Sequence, residues 1–144
     1  MKSRQRTIVA VIVVFLIAGS AAGVLLTLGG GGTGPTGKVQ NFLIVITVKG
    51  YNDSIDHGVP ENSWPIIQVA SGTTVNITIV NDDHQAHGFQ VAHYFDSTVE
   101  TIAPGQTVNV NFVADETGSF RMYCEIFCTI HWAMQSGLLN VTAA

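Results

Sequence analysis

Positive charge is scarce in this sequence. Lysine and arginine together number 6 in 144 residues, against 10 aspartates and glutamates. Lys2, Arg4 and Arg6 precede the first apolar run, and only Lys38, Lys49 and Arg121 follow it. Those three cations against all ten acids leave the later part of the chain seven charges negative. A polyanion such as DNA is the wrong partner for such a domain. A cationic protein suits it better, although acids also serve solubility alone. Catalytic signatures are missing too: no Ser-His-Asp set, P-loop or paired-carboxylate motif occurs, so no independent catalysis is expected. No internal repeat and no helical period appear after the apolar run. Cysteine is limited to two residues, Cys124 and Cys128.

What is present divides the chain in three. Residues 7–28 form 22 positions without a charge, roughly 33 Å as a helix and about one hydrocarbon core. With three cations before it, the run is expected to be a transmembrane helix. Its N-terminus would lie in the cytoplasm and the rest of the chain outside the cell membrane, a single-pass arrangement. The rival reading is a cleaved signal peptide, for which Ala18 to Ala22 offer small residues. The length of the run and its continuation past them favour a retained anchor. Residues 1–28 are therefore read as cytoplasmic tip and anchor. Residues 29–37, GGGGTGPTG, read as a flexible linker, and 38–144 as the main domain.

Within that domain, short β-branched and alternating runs predict strands at 39–49, 66–70, 73–80, 88–94, 106–114, 119–123 and 137–142. Residues 51–65 and 81–86 read as loops, and Ala103-Pro104-Gly105 as a turn. Seven or eight short strands with turn signals between them mean a β-sandwich or Greek-key barrel. Asn52, Asn76 and Asn140 each begin an N-x-S/T triplet, which is compatible with an external domain.

The chemistry gathers near the C-terminus. Cys124, Cys128, His131 and Met134 fall within eleven residues. Thiolate and thioether are soft ligands and imidazole suits copper, so this set favours copper over hard cations. A compact loop after the strand ending at 123 would bring them to one centre. A further donor is expected from elsewhere. His87 is the candidate: it opens a predicted strand, and Gly88 beside it permits close backbone approach. His84 competes from the preceding loop, while His93 and His57 read as surface residues first. Three other readings stay open at this level. The cysteines could form a disulfide in an oxidising setting, which leaves His131 and Met134 unexplained. Two cysteines and two histidines could hold structural zinc, although Met134 is no zinc ligand. The thiols could also be inert and buried. Phe89, Phe127 and Trp132 are expected either to shield the site from water or to serve as core and rim aromatics.

Residues 73–142 resemble the cupredoxin superfamily, and more closely the binuclear copper A (CuA) domain of cytochrome c oxidase subunit II. The resemblance lies in His87-Gly88-Phe89, Pro104-Gly105, Gly118-x-Phe120-x3-Cys124, the Cys124-x3-Cys128 pair and His131-x2-Met134. It implies an all-β, cupredoxin-like Greek-key sandwich or barrel. With one N-terminal transmembrane helix the chain looks like the short subunit II of ba-type oxidases. In that family both cysteines bridge two copper ions and each copper takes one histidine. A methionine and a carbonyl between the cysteines complete the axial positions. Carried over, the implied ligands are His87, Cys124, the carbonyl of Ile126, Cys128, His131 and Met134. The implied function is electron entry: an external electron-donor protein reduces the copper, which passes electrons to haem in the catalytic haem-copper oxidase subunit in the membrane.

Two departures accompany the match. The family places three residues between the second cysteine and the histidine, where this chain has only Thr129 and Ile130. The family often has an acid two residues after the first cysteine, where Glu125 stands one after. The Cys128-x2-His131-x2-Met134 spacing is that of amicyanin-like mononuclear blue copper proteins. The alternatives are therefore a membrane-anchored cupredoxin carrier with one copper, and a copper chaperone or sensor.

Overall fold

The computed structural model describes residues 37–95 and 101–144. Among them are strands β1 (Val39–Thr47), β2 (Gly50–Tyr51), β3 (Ile66–Ala70), β4 (Thr73–Asn81), β5 (Gln90–Val91), β6 (Thr107–Ala114), β7 (Gly118–Tyr123) and β8 (Gly137–Thr142). They form two four-stranded sheets, in the orders β2-β1-β4-β6 and β3-β8-β7-β5. Each sheet is mixed: β1 runs parallel to β4 and β3 parallel to β8, while the other pairings are antiparallel.

The period of two along these strands builds the core between the sheets. From the first sheet, Ile44, Ile46, Val75, Ile77, Ile79 and Val110 point inward. From the second come Ile67, Val69, Met122, Leu139 and Val141. Each such side chain contributes about 1.5–3 kcal/mol by leaving water. The outer face of the first sheet exposes Val39, Leu43 and Val113 beside a set of polar residues that bond one another. Asn41, Asn76 and Asn111 stand in register across β1, β4 and β6. Asn76 Nδ2 donates to Asn41 Oδ1 over 2.9 Å, and Thr78 Oγ1 donates to Asn109 Oδ1 over 2.7 Å.

The sequence expectation of two packed layers of short strands holds, with three local corrections. The strand expected over 88–94 shrinks to β5. His87, Gly88, Phe89, Gln90 and Val91 are all buried, so no alternating face exists there. Phe95 N–H donates back to Val91 O over 2.7 Å and His93 takes φ 72°, which turns the chain. The loop expected over 51–65 starts inside a strand: Tyr51 pairs with Ile46 and is fully buried, and Ser54–His57 forms a 3-10 turn. Asn81, assigned to a polar loop, is the buried last residue of β4. Its side-chain amide donates to the carbonyls of Gln85 and Ile102, so the group is satisfied without water.

The apolar run at 7–28 and residues 29–36 of the linker lie outside the described residues. Among the described residues, no helix is long and apolar enough to cross a membrane.

Candidate metal centre

The loop after β7 is closed by its own backbone. Cys124 N–H donates to Met134 O over 2.9 Å and His131 N–H to Cys128 O over 3.2 Å. Gln135 Nε2 donates to Cys124 O over 2.6 Å. His131–Met134 forms a 3-10 turn. Its Ala133 carbonyl accepts from the buried Ser54 hydroxyl at 2.6 Å. The result is a compact loop pinned at both ends and from below, and not an extended chain.

The facing segment is fixed by Asn81. Its Nδ2 donates to the carbonyls of Gln85 and Ile102, each over 2.8 Å, and its Oδ1 accepts Asp83 N–H at 3.0 Å. His87 and Ile102 exchange main-chain hydrogen bonds of 3.1 and 2.7 Å. Gln85 Nε2 then reaches across to Thr129 Oγ1 at 2.8 Å, joining this segment to the cysteine loop.

These two segments bring His87, Cys124 and Cys128 together, with one donor atom from each lying within 4.8 Å of the others. All three are buried, and both cysteines are free thiols. Cys124 Sγ accepts Gly88 N–H at 3.2 Å and donates to Ile126 O over 3.2 Å. That same carbonyl accepts from His131 Nδ1 at 3.0 Å. Cys124 Sγ is therefore gathered with His87 and Cys128 and also meets the Ile126 carbonyl, and His131 is joined to this group through that carbonyl. Met134 is fully buried in the core cluster that contains both cysteines, and its carbonyl holds Cys124.

The surroundings are dry and negative. Burial first, and then the neighbouring Cys124, push the Cys128 thiol up to about 11. Burial, and then charge on the two cysteines, raise the Tyr51 phenol well above its ordinary range. Tyr51 O–H donates to the Gly88 carbonyl and its ring meets Phe89 edge-on at 5.6 Å. A metal that binds here must displace the proton that Cys128 holds tightly, so its charge has to replace that of the proton.

The remaining sequence candidates are placed away from the donors. His84 is exposed and its Nδ1 lies 2.8 Å from Asp83 Oδ1. His93 stacks on Phe120 and faces Glu116 Oε2 at 3.3 Å. His57 stacks on Trp64 with ring centroids 3.6 Å apart. Of the aromatics, Phe89 belongs to the core, but Phe127 is 93% exposed and Trp132 49% exposed. Phe127 therefore projects into solvent, with its ring 6.2 Å from that of His131. Sequence reasoning missed Asp83, whose Oδ2 lies 2.8 Å from His87 Nε2 with both side chains fully buried. Burial pushes this carboxyl up, but hydrogen bonds from His87 and the His84 backbone outweigh it and leave the group below its ordinary range. Its only sequence signal is an acid four residues ahead of the candidate histidine.

The donor set can be tested for fit. His87 Nδ1 is buried and has no hydrogen-bond partner. A polar atom in that position costs free energy unless something binds it. Two thiols and an imidazole within one buried cluster make a soft site that suits copper. The residues present fit that metal.

The comparisons with known proteins agree on architecture. Residues 7–134 match the family model described as a cupredoxin-like domain. Among solved structures the chain is similar to a copper nitrite reductase from Nitrosomonas europaea, at 22% identity and TM-score 0.58, over 74% of this chain and 42% of that one. It is similar to a multicopper oxidase at 19% identity and TM-score 0.54, over 72% and 42% of the two chains. Auracyanin from the photosynthetic bacterium Roseiflexus castenholzii matches at 15% identity and TM-score 0.53, over 74% of this chain and 99% of that protein. The chain thus spans less than half of the two larger enzymes and covers nearly all of the smaller protein. At these identities the likeness is one of fold. No curated protein matches the chain.

Proposed function

This chain belongs to the cupredoxin-like domain family, and we propose that it carries single electrons through a copper centre. Bound copper supplies the one-electron couple. The chain supplies the rest: His87, Cys124 and Cys128 offer buried soft donors, the two pinned segments hold them in place, and the β-sandwich resists movement around them. A rigid, dry site lowers the reorganisation that each change of charge would otherwise demand.

The finer reading is a binuclear CuA centre, with His87, Cys124, Ile126, Cys128, His131 and Met134 as ligands. The observation that supports it is the position of the Cys124 sulfur, which is gathered with His87 and Cys128 and also meets the Ile126 carbonyl, to which His131 is bonded. Two soft thiols with further donors from two segments suit a pair of copper ions. On this reading the chain is a subunit II. It would be anchored in the cell membrane by residues 7–28, take electrons from an external donor protein and deliver them to a haem-copper catalytic subunit. The second reading is a mononuclear cupredoxin carrier with one copper. It is favoured by the two-residue gap between Cys128 and His131, and auracyanin offers a whole protein of this one-domain extent.

Copper counting combined with EPR on the domain from Lys38 onward separates the two. Two coppers per chain with a mixed-valence, many-line spectrum support the binuclear centre. One copper with a four-line spectrum supports the carrier. A domain that takes up no copper sinks both.

A further inference from the structure

Resting on the copper reading, we propose that Asp83 is a positioning residue that orients His87 and lowers the reduction potential of the centre. The geometry points to this role from three sides. First, Asp83 Oδ2 lies 2.8 Å from His87 Nε2, and neither side chain has any exposure. A carboxylate can only accept, so Nε2 carries the proton and Nδ1 keeps its lone pair. Nδ1 is the atom left without a partner, and His87 is the imidazole gathered with both thiols. Asp83 thereby selects the tautomer that can bind a metal.

Second, the carboxylate is itself held in place. Its backbone N–H donates to Asn81 Oδ1 at 3.0 Å. Its other oxygen accepts the His84 backbone N–H at 2.6 Å and faces the His84 ring at 2.8 Å. Asn81 in turn grips the loop through two carbonyls. The histidine ring is therefore locked by the fold and not by the metal alone.

Third, the acceptor is charged where a main-chain carbonyl would satisfy the same N–H. Burying a carboxylate is costly, so a neutral acceptor would stabilise the metal-free fold at lower cost. The negative charge pushes electron density onto the imidazole and favours the more positive oxidation state of a bound ion.

The decisive variant is Asp83→Asn, which keeps an accepting oxygen and removes the charge. In the copper-loaded domain it is expected to weaken Cu(II) binding relative to Cu(I) by about tenfold, which for one electron equals a potential raised by about 59 mV. Asp82→Asn removes an equal charge from the exposed neighbour and is expected to shift the potential far less. A folded, copper-loaded Asp83→Asn protein with an unchanged potential overturns the proposal, as does an equal shift in both variants. If Asp83→Asn does not fold, nitrogen NMR of the metal-free wild type decides. His87 is expected as the Nε2–H tautomer with a slowly exchanging proton, and an Nδ1–H tautomer overturns the proposal. Absence of copper uptake by the wild type would defeat the function assigned above, while the tautomer would still report on Asp83.

Discussion

Ser54 and Ala133 are 79 residues apart in sequence, yet the serine hydroxyl donates to the alanine carbonyl over 2.6 Å in the interior. This bond ties the turn after β2 to the turn that carries His131 and Met134. Ser54→Ala leaves that buried carbonyl unsatisfied and is expected to cost about 1–3 kcal/mol. Urea unfolding of the metal-free domain reads the loss, and copper release into a chelator should quicken in parallel. An unchanged midpoint would show that the bond holds nothing.

Tyr51 is the second prop. Its hydroxyl meets the Gly88 carbonyl, and Gly88 N–H meets Cys124 Sγ at 3.2 Å. Tyr51→Phe keeps the ring packed on Phe89 but deserts the carbonyl. The expected loss is about 1–3 kcal/mol of stability, accompanied by a shift in the sulfur-to-copper absorption band. A stable variant with an identical spectrum would separate Tyr51 from the site.

The two sulfurs are expected to differ from inert core thiols in one measurable way. Cys124→Ser removes the sulfur that is gathered with His87 and Cys128 and also meets the Ile126 carbonyl, and should abolish copper binding. Cys128→Ser leaves the Ile126 and His131 side intact and should lower the copper count without removing every ion. Metal analysis after dialysis decides; equal retention by both variants would contradict the shared-sulfur arrangement.

Phe127 projects into solvent. Phe127→Ser should change stability by no more than about 0.5 kcal/mol and leave copper content untouched. A clear loss of metal would restore the shielding role that its sequence position suggested.

Removing the metal should destabilise the domain in proportion to its binding. At free copper about a thousand times the dissociation constant, the gain is about 4.1 kcal/mol. Calorimetry with and without a chelator should show a melting temperature that rises with copper concentration. A melting temperature indifferent to copper would mean that the cluster binds it weakly or not at all.

Much of this was legible beforehand. β1, β3, β4, β6, β7 and β8 were readable because each buries one face, and burial on one face writes itself into sequence as alternation. β5 was overdrawn for the same reason in reverse: from His87 to Val91 every residue is buried, so alternating letters there carried no facial meaning. The candidate donors of the Cys124 to Met134 loop are legible because they are close in sequence. The expectation that His87 joins the cysteines rests on its residue type and its glycine neighbour, and the structure gathers the three side chains. Asp83, Ser54 and Tyr51 were not found, since an acid, a serine and a tyrosine in polar stretches look like surface.

By itself, the sequence determined the β layers, the soft donor types and the short spacing that lets one loop carry most of them. Local pattern and ligand chemistry are properties of neighbouring residues, and a linear chain records them directly. Only the tertiary structure decided which distant groups complete the site. Asp83 behind His87, Gly88 against Cys124 and Ser54 beneath Ala133 are contacts between separate segments. They exist because two packed sheets close those segments together and strip away the water that would otherwise satisfy each polar atom on its own.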